Sequence, residues 1–413
     1  MKRRRARAYV PRNRGRYGRY LMLLVAPVLG AAGAAGNARA SDIPFTTPPA
    51  ITTTADGEVD ATVADIDGDG HPDVISVSFF DNKLAGYQND GHGGGWTIHT
   101  VTTALHEPRT VVAADMDGDS DMDLVVASTY NNTFAWYAND GQGESWVVHT
   151  ISTTAPGAFS VAVGDLDGDG DLDVAAASYD DDTFAWYEND GTGTGWSLHV
   201  LSTSADGADS VAVADVDDDG SLDIVAASRL DNTVAWYQND GDATAWTLHT
   251  LSTSAQSVRS VSTADVDGDG DLDILSASFD DRTIAWYENA GSGNFTAVHK
   301  VTTTAKGVWS VSAVDLDQDG DLDLIAGSGY AATVAWYENL GGGSSWALHT
   351  VSTAMNDVLV VRAADLDGDG DLDLVAGSYV NDSIRWYQSG RADLVFADGF
   401  ESGNTSDWSV TVP

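Results

Sequence analysis

Residues 265–273 read DVDGDGDLD, a stretch with aspartate at positions one, three, five and nine and glycine at position six. The stretch recurs with small changes at a constant step of 50 residues, without insertion or deletion. The seven copies begin at Asp65, Asp115, Asp165, Asp215, Asp265, Asp315 and Asp365. A fixed period of this length is typical of repeat architectures.

The spacing of the carboxylates predicts a calcium site in every copy. Calcium takes about six to eight oxygen ligands, which alternate side chains of a short loop can supply. We expect the aspartates at positions one, three, five and nine and the main-chain oxygen at position seven to bind the ion. Glycine at position six allows the sharp turn. The second copy has Ser120 there, so its turn should be the most strained.

The candidate metal ligands occupy the same positions in all copies, for about seven calcium ions, one per unit. Position one is the aspartate that begins each copy. Position three is Asp67, Asp117, Asp167, Asp217, Asp267, Asp317 and Asp367. Position five is Asp69, Asp119, Asp169, Asp219, Asp269, Asp319 and Asp369. Position seven, through its main-chain oxygen, is His71, Asp121, Asp171, Ser221, Asp271, Asp321 and Asp371. Position nine is Asp73, Asp123, Asp173, Asp223, Asp273, Asp323 and Asp373.

Two other interpretations of the loop compete with this one. An acidic surface turn is possible because Asp and Gly favour turns, but four clustered carboxylates without a cation repel one another. An EF-hand needs a glutamate at position twelve and flanking helices. Position twelve is serine, valine or alanine, and residues 222–228 (LDIVAAS) are typical of a strand, so the EF-hand is excluded.

Each unit contains four short strand patterns rich in β-branched and aromatic residues. In the fourth unit they cover residues 210–215, 222–228, 233–239 and 246–253. Four strands per unit, repeated seven times, predict an all-β fold. We expect a seven-bladed β-propeller of four-stranded antiparallel blades.

The two ends of the repeat region predict how the ring closes. The seventh unit stops after its third strand, at residues 384–388, whereas residues 51–57 match the end of a fourth strand at 201–207. We therefore expect the N-terminal residues 45–54 to form the outermost strand of blade seven. An edge strand tolerates Pro48 and Pro49, which a central strand would not.

The N-terminal 40 residues have the pattern of a signal peptide. A basic segment precedes an apolar run at 21–36, and Ala38-Arg39-Ala40 fits a cleavage site. The run is short for a membrane span, so a retained anchor is the alternative. We expect an exported protein, secreted or at the cell surface, with no membrane insertion after cleavage.

Charge and composition limit the partners. Without residues 1–40, the chain has 10 basic and 63 acidic residues, a net charge of −53. This charge argues against nucleic acid and anionic membranes as ligands. The absence of cysteine means that metal, not disulfides, would cross-link an exported chain. We expect a monomer with a propeller at 41–390 and a separate tail at 391–413.

No catalytic motif stands out, and we predict that the protein is not an enzyme. Histidines recur at one offset on six blades and so cannot converge on one site; we interpret them as structural. The same holds for the Trp-Tyr pairs of the third strands, from Trp136-Tyr137 to Trp386-Tyr387, with Gly86-Tyr87 in the first unit. The histidines are His99, His149, His199, His249, His299 and His349.

The units resemble VCBS/FG-GAP repeats, which are related to the propeller repeats of integrin α-subunits. The resemblance is carried by SVAVADVDDDGSLDIVAAS (210–228), by its six copies and by TVAWYQNDG (233–241), and it covers about residues 51–388. It implies calcium loops and a binding or adhesion module for protein or glycan ligands. Some glycan lyases share this scaffold, so a carbohydrate-active enzyme, a polysaccharide lyase or hydrolase, is the alternative. The tail also resembles C-terminal segments of exported bacterial proteins; sorting or an unstructured tail are both open.

The copies differ most on the face opposite the metal loops, if the first strand of each unit is innermost. This face holds the inter-unit connections and the turns between second and third strands. Its aromatic and arginine residues suit protein or sugar binding, or else they cap the strand ends. The connections carry His106-Glu107-Pro108-Arg109, Phe159, Asp209, Arg259, Trp309 and Leu359. The turns carry Phe79-Phe80, Tyr130, Tyr179, Arg229, Phe279, Tyr330 and Tyr379.

Overall fold

The computed structural model describes residues 43–390 as seven four-stranded sheets, each antiparallel throughout. Each sheet is one blade, and blades one to six follow chain order. Blade seven combines three C-terminal strands with the N-terminal strand. The predicted all-β, seven-bladed propeller is confirmed. The proposed signal peptide at 1–40 and the tail at 391–413 lie outside the described residues.

The strands occupy four equivalent positions in the blades. The innermost strands are β2 (Glu58–Ala64), β6 (Pro108–Ala114), β10 (Ala158–Gly164), β14 (Ala208–Ala214), β18 (Val258–Ala264), β22 (Val308–Val314) and β26 (Val358–Ala364). The second strands are β3 (Asp73–Ser78), β7 (Asp123–Ser128), β11 (Asp173–Ser178), β15 (Asp223–Ser228), β19 (Asp273–Ser278), β23 (Asp323–Ser328) and β27 (Asp373–Ser378). The third strands are β4 (Lys83–Asn89), β8 (Thr133–Asn139), β12 (Thr183–Asn189), β16 (Thr233–Asn239), β20 (Thr283–Asn289), β24 (Thr333–Asn339) and β28 (Ser383–Ser389). The outermost strands are β5 (Trp96–Thr102), β9 (Trp146–Ser152), β13 (Trp196–Ser202), β17 (Trp246–Ser252), β21 (Phe295–Thr302), β25 (Trp346–Ser352) and β1 (Phe45–Thr46).

Burial explains the composition of each strand position. The second strands are buried along their whole length, so small and β-branched residues fill both faces. The third strands bury both members of the Trp-Tyr pair because the blades stack face to face. The outermost strands expose about half of their residues. The hydrophobic core therefore lies between adjacent blades, as in other closed repeat rings.

The seven innermost strands surround the axis. Each contacts the innermost strands of both neighbouring blades, and β26 contacts β2. The metal loops connect innermost to second strands. They share one face, the metal-loop face, with the loops between third and fourth strands. The opposite face, called the turn face below, carries the turns between second and third strands and the inter-blade connections. These two kinds of segment contact each other: Arg229 N, in a turn, donates to Gly207 O, in an inter-blade connection, at 2.9 Å.

Adjacent blades lock together through a tryptophan and a glycine. The third-strand Trp236 packs on Gly293 of the next blade, where an added Cβ would lie 2.8 Å from the ring. The same contact joins Trp386 to Gly93 across the closure of the ring. In blade one, Gly86 replaces the tryptophan because Ile66 fills the space, 2.7 Å from where a Cβ would stand.

The N-terminal strand closes the ring, as predicted. β1 lies outermost in blade seven and pairs Phe45 with Ser389 and Thr46 with Gln388. A single bridge between Thr52 and Ile384 continues the pairing. The ladder is shorter than the predicted 45–54 strand, and the intervening stretch contains Pro48 and Pro49, which have no N–H to donate.

Candidate metal centres and the turn face

The position-one aspartate organises each metal loop through its carboxylate. In blade five, Asp265 Oδ1 accepts a hydrogen bond from Gly268 N at 2.8 Å, and its Oδ2 accepts one from Gly270 N at 3.0 Å. The loop then turns back on itself, and Asp271 N donates to Asp269 Oδ1 at 3.0 Å. Main-chain amides alone thus hold these carboxylates close together.

The position-nine aspartate joins the loop to the third strand. Asp273 Oδ2 accepts from Val266 N at 3.0 Å, and its Oδ1 accepts from Asn289 N at 2.8 Å. This carboxylate is fully buried. Burial raises the pKa of Asp73, Asp123, Asp173, Asp223, Asp273 and Asp373 to about 7 and that of Asp323 to about 8.

The structure brings three of the four predicted carboxylates together in each of the first five loops. In blades one to four, positions one, three and nine offer oxygens within 4.8 Å of one another, as in the group of Asp215, Asp217 and Asp223. In blade five the group is Asp265, Asp267 and Asp269, at positions one, three and five. The full ligand set with the position-seven oxygen stays a prediction.

Several loop oxygens fit a cation because they are buried without another partner. Asp217 Oδ1, Asp315 Oδ1 and Asp317 Oδ2 have no hydrogen-bond partner within the described part of the chain. Asp317 is only 1% exposed, and burial together with Asp319 raises its pKa to about 6. An unpaired buried carboxylate is costly, and a divalent cation would remove that cost. Calcium, which prefers hard oxygen ligands, suits this donor set.

The position-seven side chains of blades one and two lie against a neighbouring loop. The side chain of His71 lies beside Gly91, where an added Cβ would be 2.5 Å from Nε2. In blade two, Asp121 lies against Gly141 in the same way. These side chains therefore pack on the loop between third and fourth strands, and metal binding by the main-chain oxygen stays a prediction.

The turn at position six is strained in blade two, as expected. The six glycines at this position have φ between 90° and 102°, a range that disfavours any side chain. Ser120 has to adopt φ 77°. Its amide still donates to Asp115 Oδ2 at 3.0 Å, so the loop keeps its shape despite the substitution.

The recurring histidines stack on the third-strand tryptophans. His249 lies 4.6 Å from Trp236 with an interplanar angle of 17°, and blades two, three, five and six repeat the stack. This contact accounts for their structural interpretation. A polar residue missed by sequence reasoning lies beside them: Gln238 Nε2 donates to Asp217 Oδ2 at 2.5 Å, while His249 Nε2 contacts Gln238 Oε1 at 3.0 Å.

The turn face carries a continuous network of aromatic and charged side chains around the axis. It begins with Phe80, Tyr379 and Phe79, whose ring centroids lie 5.2 to 6.3 Å apart. Arg109 lies 4.4 Å above the Phe79 ring and 5.2 Å from that of Phe159. Phe159 in turn packs on Tyr179 at 5.5 Å. Residues of four blades thus touch in sequence.

The second half of this network is centred on Asp209. Its carboxylate oxygens lie 3.9 Å from Arg229 Nη1 and 3.8 Å from Arg259 Nη1. Burial raises the pKa of Asp209, and the guanidinium groups of Arg259, Arg229 and Arg109 oppose that shift. Arg229 also stacks on Tyr179 at 4.8 Å and so connects the two halves.

The network ends in blade six. Arg259 lies 4.4 Å from the Trp309 ring, Trp309 packs on Phe279 at 4.8 Å, and Phe279 packs on Tyr330 at 4.7 Å. Around the buried members of the network, such as Trp309 and Phe279, stands a rim of exposed apolar side chains at one turn position, from 43% exposed at Val380 to 74% at Tyr130. The rim residues are Phe80, Tyr130, Leu230, Tyr330 and Val380.

Comparison with known families identifies the repeats. The model of the FG-GAP-like repeat matches six overlapping segments, 65–126, 115–176, 165–226, 215–276, 265–326 and 315–376. The chain belongs to the FG-GAP-like repeat family. These matches cover six loop-to-loop steps of the FG-GAP propeller, which confirms the resemblance inferred from its repeats. No curated protein matches the chain.

Solved structures share the fold of this FG-GAP propeller at low sequence identity. An Agrocybe aegerita lectin that recognises non-reducing terminal N-acetylglucosamine is 17% identical, with a TM-score of 0.53 over 72% of this chain and 81% of the lectin chain. BBS1N, solved in complex with ARL6DN, is 12% identical, with a TM-score of 0.59 over 84% and 98% of the chains. YCF48 from Cyanidioschyzon merolae is 14% identical, with a TM-score of 0.55 over 84% and 98%.

Within residues 43–390, no helix has the length and apolar character of a membrane span.

Proposed function

We propose that this FG-GAP propeller is an exported, calcium-stabilised, non-catalytic binding or adhesion module that holds a glycan or protein ligand on its turn face. The carrying observation is the exposed rim that stands around the buried network, formed by Phe80, Tyr130, Leu230, Tyr330 and Val380. Every blade repeats the metal loop and the third strand, whereas the turn face differs from blade to blade. If these residues only capped the strand ends, the same residue type could repeat in every blade. A non-repeating set of exposed aromatic and aliphatic side chains at one axial end suits a single ligand.

Of the two ligand classes, a neutral glycan fits the rim better. Exposed tyrosine rings such as Tyr130 and Tyr330 present flat apolar surfaces with a polar edge, which suit sugar rings. The acidic surroundings, including Asp180 and Asp280 at the same turn position, disfavour acidic glycans. The similarity in fold to a lectin is consistent with this choice, and the similarity to BBS1N keeps a protein ligand as the second candidate.

The calcium part of the proposal rests on the partnerless oxygens of Asp217, Asp315 and Asp317. Elemental analysis of dialysed protein should find about seven calcium ions per chain in millimolar calcium, close to the affinity range of roughly 10⁻⁴–10⁻³ M of extracellular calcium modules. A value near zero would refute the metal sites.

The export part of the proposal rests on the signal-peptide pattern of residues 1–40. N-terminal sequencing of the secreted protein should find Ser41 as the first residue.

Ligand binding is tested on a glycan array in millimolar calcium, with a chelator-treated sample alongside. We expect Tyr130→Ala and Tyr330→Ala each to weaken binding about tenfold or more, as truncation of a central aromatic contact does. Leu340→Ala, at an exposed apolar residue on the metal-loop face, is the matched control and should bind normally. Loss of binding in the control alone would place the ligand on the other face.

A polysaccharide lyase or hydrolase on this scaffold is the competing function. Such sites usually need inserted segments that bring acid and base groups together, and the constant 50-residue step provides none. Incubation with polysaccharides bound on the array tests this directly. Release of unsaturated products or new reducing ends would replace the binding module with an enzyme.

A further inference from the structure

The penultimate residue of the third strand contacts the metal loop of its own blade in blades four and seven, whereas the equivalent Gln88 of blade one donates to Gln142 O of the next blade at 2.9 Å. In blade four it is Gln238, whose Nε2 donates to Oδ2 of the position-three Asp217 at 2.5 Å. In blade seven Gln388 makes the same bond to Asp367 at 2.5 Å. The residue differs between blades: it is Gln88, Ala138, Glu188, Gln238, Glu288, Glu338 and Gln388.

Three blades therefore have a carboxylate where the others have a neutral side chain. A glutamate at this place cannot donate a hydrogen bond to the position-three aspartate, as Gln238 and Gln388 do. Glu188, Glu288 and Glu338 therefore place a second carboxylate where those two blades have a donor. Two adjacent carboxylates without a donor between them favour a shared cation.

The outermost strand holds each of these glutamates in place. Nε2 of His199 and of His299 lies 2.6 Å from Oε2 of Glu188 and of Glu288. His349 and Glu338 repeat the contact at 2.8 Å. Each imidazole is itself fixed, because it stacks on the third-strand tryptophan at 4.3 Å. Oε2 of each glutamate is thus bound to histidine, and Oε1 of Glu288 also accepts a hydrogen bond of 3.4 Å from Thr296 Oγ1.

Blade six adds an independent sign of a missing ligand. Oδ2 of Asp317, the position-three aspartate of the blade that carries Glu338, is buried and has no hydrogen-bond partner among the described residues. A protein group that donated to this oxygen would explain the arrangement, but glutamate has none to offer when ionised. A divalent cation between the two side chains satisfies both.

We propose that Glu188, Glu288 and Glu338 are additional carboxylates of the cation sites in blades three, five and six. These three sites bind calcium more tightly than the sites with glutamine or alanine. The inference rests on the proposed calcium binding and adds a ranking to it. In calcium loops, affinity follows the number of charged ligands, and one added carboxylate should change the dissociation constant roughly tenfold.

The test is a calcium titration of the full chain against a chromogenic chelator, which resolves tight from weak sites. Glu288→Gln should reduce the tight class from three sites to two. Gln238→Glu should increase it to four, and this gain cannot result from misfolding. Glu144→Gln, which removes the same charge from an exposed loop residue, is the control and should leave three tight sites.

The outcomes separate this inference from the proposed function. If the chain binds about seven calcium ions in one affinity class and neither variant changes it, the glutamates pair only with histidine and the inference is wrong. If the chain binds no calcium, the proposed calcium role itself fails. A tight class that loses one site in Glu288→Gln and gains one in Gln238→Glu supports the inference.

Discussion

Asn239 Nδ2 donates a hydrogen bond of 2.7 Å to the main-chain oxygen of Leu166, a residue of the metal loop in the preceding blade. The same amide donates to Leu222 O of its own loop at 3.0 Å, and Asn239 Oδ1 accepts from Ala243 N at 2.9 Å. One buried side chain therefore connects two metal loops and the loop between the third and fourth strands of blade four. Asn89 makes the equivalent bond to Leu366 O across the closure of the ring.

We predict that Asn239→Ala destabilises the propeller without changing its fold. The substitution leaves buried main-chain groups of Leu166 and Ala243 without their partner, which costs about 2–4 kcal/mol when two such groups are affected. Urea unfolding in saturating calcium measures the loss. Asn131→Ala, at an exposed residue of a turn, is the control and should change the free energy of unfolding by less than about 0.5 kcal/mol. Equal effects of the two variants would contradict the role of Asn239.

The position-nine carboxylates predict an unusual pH dependence of the calcium-free protein. Their pKa is about 7 or above in the folded state because they are buried, against an ordinary aspartate pKa of 3.8. The folded chain therefore binds more protons than the unfolded chain between these values, and stability falls as the pH rises from about 4 to about 7. In chelator, we expect the melting temperature to drop by on the order of 10 °C over this range.

Calcium should reverse this trend, because the ion replaces the protons on the carboxylates and its binding strengthens as they ionise. Melting curves at pH 5 and pH 7.5, with calcium and with chelator, give the four values needed. We expect the gain from calcium to be small at pH 5 and large at pH 7.5. A calcium-free protein that is more stable at pH 7.5 than at pH 5 would contradict the raised pKa of Asp73 and its equivalents in the folded state.

The fold was predictable because the length of the repeat and the strand patterns within it indicate the same architecture. The 50-residue step sets the number of blades, and the strand patterns of one unit, such as Thr233–Asn239, apply to all seven. The closure of the ring by the N-terminal strand was predictable from the offset of residues 51–57. The length of its ladder was not, since two prolines interrupt a strand that a match in offset alone would continue.

The candidate sites were predictable only in part. Loop spacing identified the aspartates, but it could not show that Asp223 accepts main-chain hydrogen bonds with both oxygens while it remains near Asp215 and Asp217. The role of Gln238 depends on a contact between the third strand and the loop, which lie 21 residues apart. The turn-face network joins residues from all seven blades, so no local pattern reveals which of them touch.

The backbone at position six allows a reciprocal test in blades two and five. Ser120 has φ 77°, where a side chain costs roughly 1 kcal/mol, so Ser120→Gly should raise the free energy of unfolding by about 0.5–1 kcal/mol. Gly270→Ser should lower it by a similar amount. Gly270 has φ 102° and open space around a would-be Cβ, so only the backbone is tested. Thermal unfolding of both variants decides the matter; a stabilising Gly270→Ser would contradict the strain.

The closure of the ring gives the last prediction. Deletion of residues 41–54 removes β1, the Thr52 bridge and the bond from Gly390 N to Pro44 O, which exposes the edge of β28. Repeat structures depend on contacts between neighbouring units, so damage at blade seven should spread to both adjoining blades. We expect the deletion variant to aggregate or to melt at least about 10 °C below the parent. Deletion of 391–413 is the control and should leave the melting temperature unchanged. If the tail deletion lowers it and the N-terminal deletion does not, then β1 does not hold the ring closed.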